Sequence, residues 1–147
     1  MTHVRHRERG ASLPETAIVM AVLLALIFGI MEFGRVMYTY AFVAQLARQG
    51  ARWTIVRGSQ CTVLDHCNAQ SSDVQTFVRS LSVGATDPSK INVTATWPQS
   101  QCPPGVTGNA PGCVVSVNVT YQYKPFAPFV PTGTIAMSST SQMVISQ

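Results

Sequence analysis

The sequence predicts an α+β protein: a long N-terminal helix whose first half spans a membrane, then a small extracytoplasmic head of about three antiparallel strands and one short helix. Residues 16–31 carry no charge, and with their apolar flanks they approach the roughly 20 residues that cross a bilayer core. Between residues 15 and 57 the sequence contains no signal that requires the helix to end. After Gly58 polar residues dominate, and the apolar residues alternate as they do in half-buried strands.

The charge pattern indicates orientation and excludes one class of partner. The chain has 147 residues, a formal charge of +4 and only 11% charged residues, which suits one modest domain with an appendage. Arg5, Arg7 and Arg9 precede the apolar run, and such residues favour the cytoplasmic side of a membrane helix. The head is therefore expected outside the cytoplasm. The other Lys and Arg residues are scattered, so we expect no nucleic-acid binding.

Glu15 stands at the very start of the apolar run, and a carboxylate there has two interpretations. It can act as a capping acid in the first helical turn, where the macrodipole favours negative charge. Alternatively it serves assembly, because an ionised carboxylate near the mouth of a membrane helix is costly without a partner.

The residues before Glu15 favour the second interpretation. A short basic leader, Met1–Arg9, precedes Gly10 and Ala11, and Glu15 is the fifth residue after Gly10. This order resembles the processing site of type IV prepilins, which implies cleavage between Gly10 and Ala11 and an assembly role for Glu15. Pro14 departs from the aliphatic residue that such proteins more often have before the glutamate.

Two later motifs are more specific. EFGR at residues 32–35 and LARQGAR at residues 46–52 resemble the TadE-like family of pseudopilins, and the resemblance covers about residues 9–58. It implies a structural component in assembly of a bacterial Tad-type (type IVc) pilus. The implied partners are a prepilin peptidase, other pilins, Tad assembly proteins and the lipid bilayer. The implied location is the inner membrane, crossed once with the N-terminus cytoplasmic and the head periplasmic or extracellular, with the pilus as a further destination.

The corresponding division of the chain is a leader at residues 1–10, a transmembrane and spine helix at 11–58, and a disulfide-containing head at 59–147. A signal-anchored extracytoplasmic binding module that never enters a filament is the alternative. The two hypotheses differ at the mature N-terminus, because only the pilin-like protein should begin at Ala11.

Three features are predicted along the helix. Glu32 and Arg35, spaced i and i+3 near the outer end of the apolar run, can form an interface ion pair. Small residues at every fourth position would let another helix approach closely, although alanine is common in membrane helices anyway; they are Ala17, Ala21, Ala25 and Gly29. The apolar face predicted to carry the head comprises Val36, Tyr40, Val43, Ala44, Ala47 and Ala51.

The four cysteines all follow the helix, and four cysteines permit three connectivities. Cys61–Cys67 and Cys102–Cys113 close the shortest loops and are preferred, since a small extracytoplasmic head is a usual setting for disulfides. A zinc site built on Cys61, Asp65, His66 and Cys67 is disfavoured, because the tight cysteine pairs of structural zinc sites are absent.

A helix and three strands are expected in the head. Ser72 and Gln75 form a capping box, and Gly84 can end the helix that they open. The strands are expected at about residues 91–97, 115–123 and 135–145. In the loop between the last two strands, Phe126 and Phe129 are expected to cover the open end of the sheet rather than contact a neighbouring molecule.

Catalytic chemistry is not expected. Beyond the leader the only histidine is His66, and the head's carboxylates are Asp65, Asp73 and Asp87. They cannot supply a catalytic triad or paired catalytic acids, and there is no glycine-rich phosphate loop. We therefore expect no enzymatic activity, no cofactor and no metal.

Overall fold

A computed structural model describes residues 12–83, 86–126 and 133–146. Its elements in chain order are α1 (Ser12–Ile55), α2 (Ser71–Leu81), β1 (Ile91–Thr96), β2 (Val114–Tyr123) and β3 (Ile135–Val144). Short 3₁₀ turns at Pro88–Lys90 and Gln99–Gln101 flank β1. The predicted α+β class is confirmed: one long helix precedes a short helix and a three-stranded antiparallel sheet.

The long helix α1 is continuous over 44 residues, which corresponds to about 66 Å at about 1.5 Å per residue. Pro14 lies in its first turn, where a missing N–H costs no helical hydrogen bond. At the other end, Arg57 N donates to Thr54 O at 2.9 Å, a bond that tightens the final turn. The helix therefore ends shortly before the predicted stop at Arg57.

The sheet has the order β1-β2-β3, and both pairings are antiparallel. Tyr123 at the end of β2 pairs with Ile135 at the start of β3, and this end of the sheet is the base of the head. The opposite, far end pairs Val114 with Val144. Ser146 N, just after β3, donates to Ile55 O at 3.0 Å, so the far end meets the C-terminus of α1. The sheet therefore runs back along the outer half of the helix toward the apolar half.

The core lies where α1 and α2 pack side by side under the sheet. The helix α1 faces β2 and β3, while α2 lies between α1 and β1. Alternate residues of β1 and β2 are buried, as their predicted period requires. The buried apolar residues of the sheet and of α2 are Ile91, Val93, Ala95, Val115, Val117, Val119, Val74 and Val78, and those of α1 are Val43, Leu46, Ala47 and Ala51.

Gly50 lies at the closest approach of these layers. A Cβ at this position would stand 2.9 Å from Val78 Cγ2 and 3.2 Å from Val117 Cγ1. Contacts that short require the neighbours to shift. The absence of a side chain at residue 50 therefore lets α2 and β2 both rest on α1.

The buried face of α1 differs from the predicted one at Tyr40, whose side chain is 54% exposed. Thr39 and Leu46 are buried instead. The buried residues Thr39, Val43, Ala47 and Ala51 follow one another every four positions, and Tyr40 lies about 100° around the helix from Thr39. Hydrophobic spacing alone did not distinguish the row of side chains through Thr39 from the row through Tyr40.

The start of α2 also differs from its prediction. The N-cap is Gln70, whose backbone N–H donates to Asp73 Oδ2 at 2.9 Å, so the capping pair lies before the predicted Ser72 and Gln75. The carboxylate of Asp73 accepts this bond, whereas the predicted pair offered a neutral amide. Gly84, the predicted stop, lies outside the described residues.

We predict that Gly50→Ala lowers the free energy of unfolding of the head by about 1–3 kcal/mol, because the added methyl overpacks the three-layer contact. Gly34→Ala is the matched control, since a Cβ there has nothing within 4 Å. The free energy of unfolding of both variants is measured on the full chain in detergent, with the fluorescence of Trp53 and Trp97 as the signal. Equal stability of the two variants would contradict the assigned role of Gly50.

Candidate membrane anchor and its polar joint

The first half of α1 presents apolar side chains to its surroundings over its whole circumference. This helix is long and apolar enough to cross a membrane, with a mean hydropathy of 2.4 over its most apolar window. Side chains such as Leu13, Ile18 and Ile30 are 73%, 66% and 72% exposed. Water does not stabilise so large an apolar surface, and a bilayer does. The helix therefore has the character of a single-pass membrane anchor.

The predicted assembly features occupy this exposed region. Glu15 lies in the first turn of α1 with its side chain exposed. The small residues are exposed as well, and a Cβ at Gly29 would have nothing within 4 Å, so this stripe is open to a partner helix. Gly10 and Ala11, the predicted processing site, lie outside the described residues.

Glu32 joins the end of the apolar run to the base of the head. Its Oε1 accepts a hydrogen bond from the Tyr123 hydroxyl at 2.6 Å and another from Phe126 N at 3.3 Å. The predicted ion pair with Arg35 is present, with Oε2 3.4 Å from Arg35 Nη1. The side chain of Glu32 is only 13% exposed, whereas that of Arg35 is 53% exposed. We call Glu32, Arg35, Tyr123 and the Phe126 amide the polar joint.

The bond to Tyr123 is the strongest element of the polar joint. The Tyr123 residue is 4% exposed, and burial, reinforced by the hydrogen bond to Glu32, raises the pKa of Tyr123 to about 12. The phenol therefore remains a donor at physiological pH. A hydrogen bond to a charged group contributes about 1.5–3 kcal/mol, whereas an exposed ion pair contributes about 0–1 kcal/mol. The predicted Glu32–Arg35 pair is thus the weaker part of the joint.

Sequence reasoning did not find Tyr123 as a partner, because the two residues are 91 positions apart. One signal was present: Tyr123 is the last inward residue of the alternating row of β2. A polar aromatic at the end of an apolar row often has its hydroxyl near a polar partner. The identity of that partner depends on which turn of α1 lies beside the base of the sheet.

A cleft of about 460 Å³ opens beside the polar joint, between α1 and the base of the sheet. Its α1 wall includes Gly34 and Tyr38, and its sheet wall includes Tyr121 and Tyr123. The Arg35 guanidinium carbon lies 5.9 Å from the centroid of the Tyr123 ring, within the range of a cation–π contact. The base of the head is therefore aromatic, with the Arg35 guanidinium at its edge.

The far end of the head is held by covalent and polar links. Disulfides join Cys61 to Cys67 and Cys102 to Cys113, with Cα atoms 5.2 and 4.1 Å apart. Asn109 Nδ2 donates to Ala69 O at 3.1 Å, and this bond ties the loop closed by Cys102 and Cys113 to the segment that follows Cys67. The four cysteines therefore have the pairing that closes the shortest loops.

At the far end of the head, aromatic and charged side chains pack against one another. Trp53 stacks on Phe77 with ring centroids 5.0 Å apart, and the Arg57 guanidinium lies 4.2 Å from the Trp53 ring centroid. His66 Nδ1 lies 3.5 Å from Asp73 Oδ1. No group of three or more His, Cys, Asp or Glu side chains is placed to hold a metal ion within the three described ranges.

Comparison with known proteins gives a family match over the anchor and over the α1 residues of the polar joint. Residues 10–52 match the model of the TadE-like protein family. The TadE-like segment begins at Gly10 and contains Glu15, Glu32 and Arg35, whereas Tyr123 and the rest of the head lie beyond it. The predicted resemblance, confined to the N-terminal part of the chain, is thus confirmed. Neither the curated proteins nor the solved structures give a significant match.

We predict that Tyr123→Phe lowers the free energy of unfolding of the head by about 1.5–3 kcal/mol, because Glu32 then keeps its charge and loses its best donor. Tyr121→Phe is the matched control, since the Tyr121 hydroxyl has no hydrogen bond with the described residues and the ring is half-buried. The free energy of unfolding of both variants is measured on the full chain in detergent. A loss equal to that of Tyr121→Phe would show that Tyr123 contributes only its ring.

Proposed function

We propose that this chain is a pseudopilin or minor pilin that takes part in assembly of a bacterial Tad-type pilus. One observation carries the proposal: the match to the TadE-like family begins at Gly10, the residue after which cleavage was expected, and it includes Glu15. The apolar half of α1 would anchor the chain in the inner membrane. The outer half would be the spine on which the head is carried.

The first proposed step is removal of the leader. A prepilin peptidase would cut between Gly10 and Ala11 on the cytoplasmic face, where Arg5, Arg7 and Arg9 hold the N-terminus. The chain is in this proposal the substrate of an enzyme and has no catalytic role. Processing leaves Ala11 with a free α-amine, whose reference pKa of about 8 keeps it largely protonated at neutral pH.

The second proposed step is pairing of that amine with a carboxylate. Glu15 is exposed on the first turn of α1, so it can be reached by the N-terminus of another subunit. In the bilayer an isolated carboxylate is costly, and the amine of an incoming chain would neutralise it. Removing one member of such a buried pair typically costs about 3–5 kcal/mol. The exposed small-residue stripe would let the two helices come close enough for this contact.

We predict that Glu15→Gln is inserted and cleaved but fails to join or support the pilus, because glutamine preserves much of a helix cap and none of the charge. Glu15→Asp is the matched variant that keeps the charge, and it should retain more assembly than Glu15→Gln. Piliation, co-purification with pilus components and sequencing of the mature N-terminus provide the three measurements.

Two results would count against the proposal. Normal piliation by Glu15→Gln would reduce Glu15 to a helix cap. A wild-type chain that still begins at Met1 in cells with an active prepilin peptidase would favour the signal-anchored binding module.

A further inference from the structure

The base of the head carries an aromatic side chain that its own fold leaves uncovered. Phe126 is 80% exposed. The sequence predicted that Phe126 and Phe129 would cover the open end of the sheet. The structure contradicts that prediction for Phe126, and Phe129 lies outside the described residues. The backbone N–H of Phe126 donates to Glu32 Oε1 on α1, so the residue is tied to the helix while its side chain stays exposed.

The hydrogen bond from Phe126 N fixes the height of this ring relative to the bilayer. Glu32 Oε1, 3.3 Å from Phe126 N, belongs to the residue that directly follows the uncharged run 16–31. Where the apolar run ends, the hydrocarbon core gives way to the headgroup region. Phe126 is therefore held within one side-chain length of that boundary.

The surroundings of Phe126 have the composition of a membrane interface. Exposed aromatic side chains of α1 follow Glu32 within about 12 Å along the helix axis. Phe33 is 66%, Tyr38 61% and Tyr40 54% exposed. Aromatic residues are enriched where hydrocarbon meets headgroups. Arg35 and Lys124 are the exposed cations of this region, and their long side chains can reach lipid phosphates.

We propose that the base of the head is a lipid-contact surface, in which Phe126 enters the boundary between headgroups and acyl chains of the leaflet beside it, while Arg35 and Lys124 contact phosphates. The inference rests on the membrane anchoring of α1 and is independent of the pilus role. The head then has two contacts with the bilayer, the anchor and the Phe126 ring. A second contact holds the head against the membrane surface instead of leaving it free to tilt about α1.

Tryptophan scanning tests this surface on the full chain reconstituted in vesicles of phosphatidylethanolamine and phosphatidylglycerol. Phe126→Trp replaces an exposed ring by another, so the core is undisturbed. Lipids brominated near the top of the acyl chain quench only an indole at that depth. The native Trp53 lies far from the bilayer, about 30 Å beyond Glu32 along the helix. Trp97 follows the end of β1 that pairs with Ser116, toward the far end of the head.

Two further variants provide the controls. Val63→Trp places an indole in the loop between Cys61 and Cys67 at the far end, where Val63 is 91% exposed. Phe28→Trp places one within the apolar run. Brominated lipid should remove most of the added emission of Phe126→Trp and Phe28→Trp, and leave that of Val63→Trp unchanged. The emission of Phe126→Trp should also shift to the blue in vesicles.

The controls separate the possible failures. Quenching of Phe28→Trp without quenching of Phe126→Trp overturns the lipid contact and leaves the anchor standing. A blue shift of Phe126→Trp that grows with protein density and resists brominated lipid would assign the ring to a neighbouring protein chain, and it also overturns the proposal. If Phe28→Trp itself is not quenched, the anchor is wrong and the lipid contact falls with it.

Discussion

The hydrogen bond between Glu32 and Tyr123 sets the position of the head on its helix. Its two ends are 91 residues apart, and it joins the last inward residue of β2 to the residue that follows the uncharged run. A short bond between a largely buried carboxylate and a buried phenol favours one level of docking on α1, because any shift separates the phenol from its acceptor and leaves Glu32 with only the weaker pair to Arg35. The membrane boundary and the base of the head are thereby brought to one level.

The remaining contacts are consistent with that position. Gly50 lets α2 and β2 approach α1 at the centre of the head, and the bond from Ser146 N to Ile55 O holds the far end. The disulfides join residues that are close in sequence, 6 and 11 positions apart, so they stabilise the loops of the far end without attaching them to α1. Attachment of the head therefore depends on apolar packing along the helix and on polar contacts at its two ends.

The sequence predicted the elements of the fold but not their docking. The apolar run, the alternating row of β2 and the interface pair of Glu32 and Arg35 are local patterns, so their periods or spacings could be read directly. The buried stripe of α1 was assigned partly to Tyr40, because hydrophobic spacing does not show which of two neighbouring rows of side chains the sheet covers. Tyr123 could not be recognised as the partner of Glu32, and Phe126 was assigned to the sheet. Both errors come from not knowing the height at which the head meets the helix, which is a tertiary property.

A double-mutant cycle on Glu32 and Tyr123 tests the central claim most directly. It compares the free energy of unfolding of the full chain in lipid nanodiscs for the wild type, Glu32→Ala, Tyr123→Phe and the double variant. If the bond sets the position of the head, the two substitutions should couple by about 1.5–3 kcal/mol, the range for a hydrogen bond to a charged group. Additivity within about 0.5 kcal/mol would contradict the account, because residues that act independently add to that accuracy.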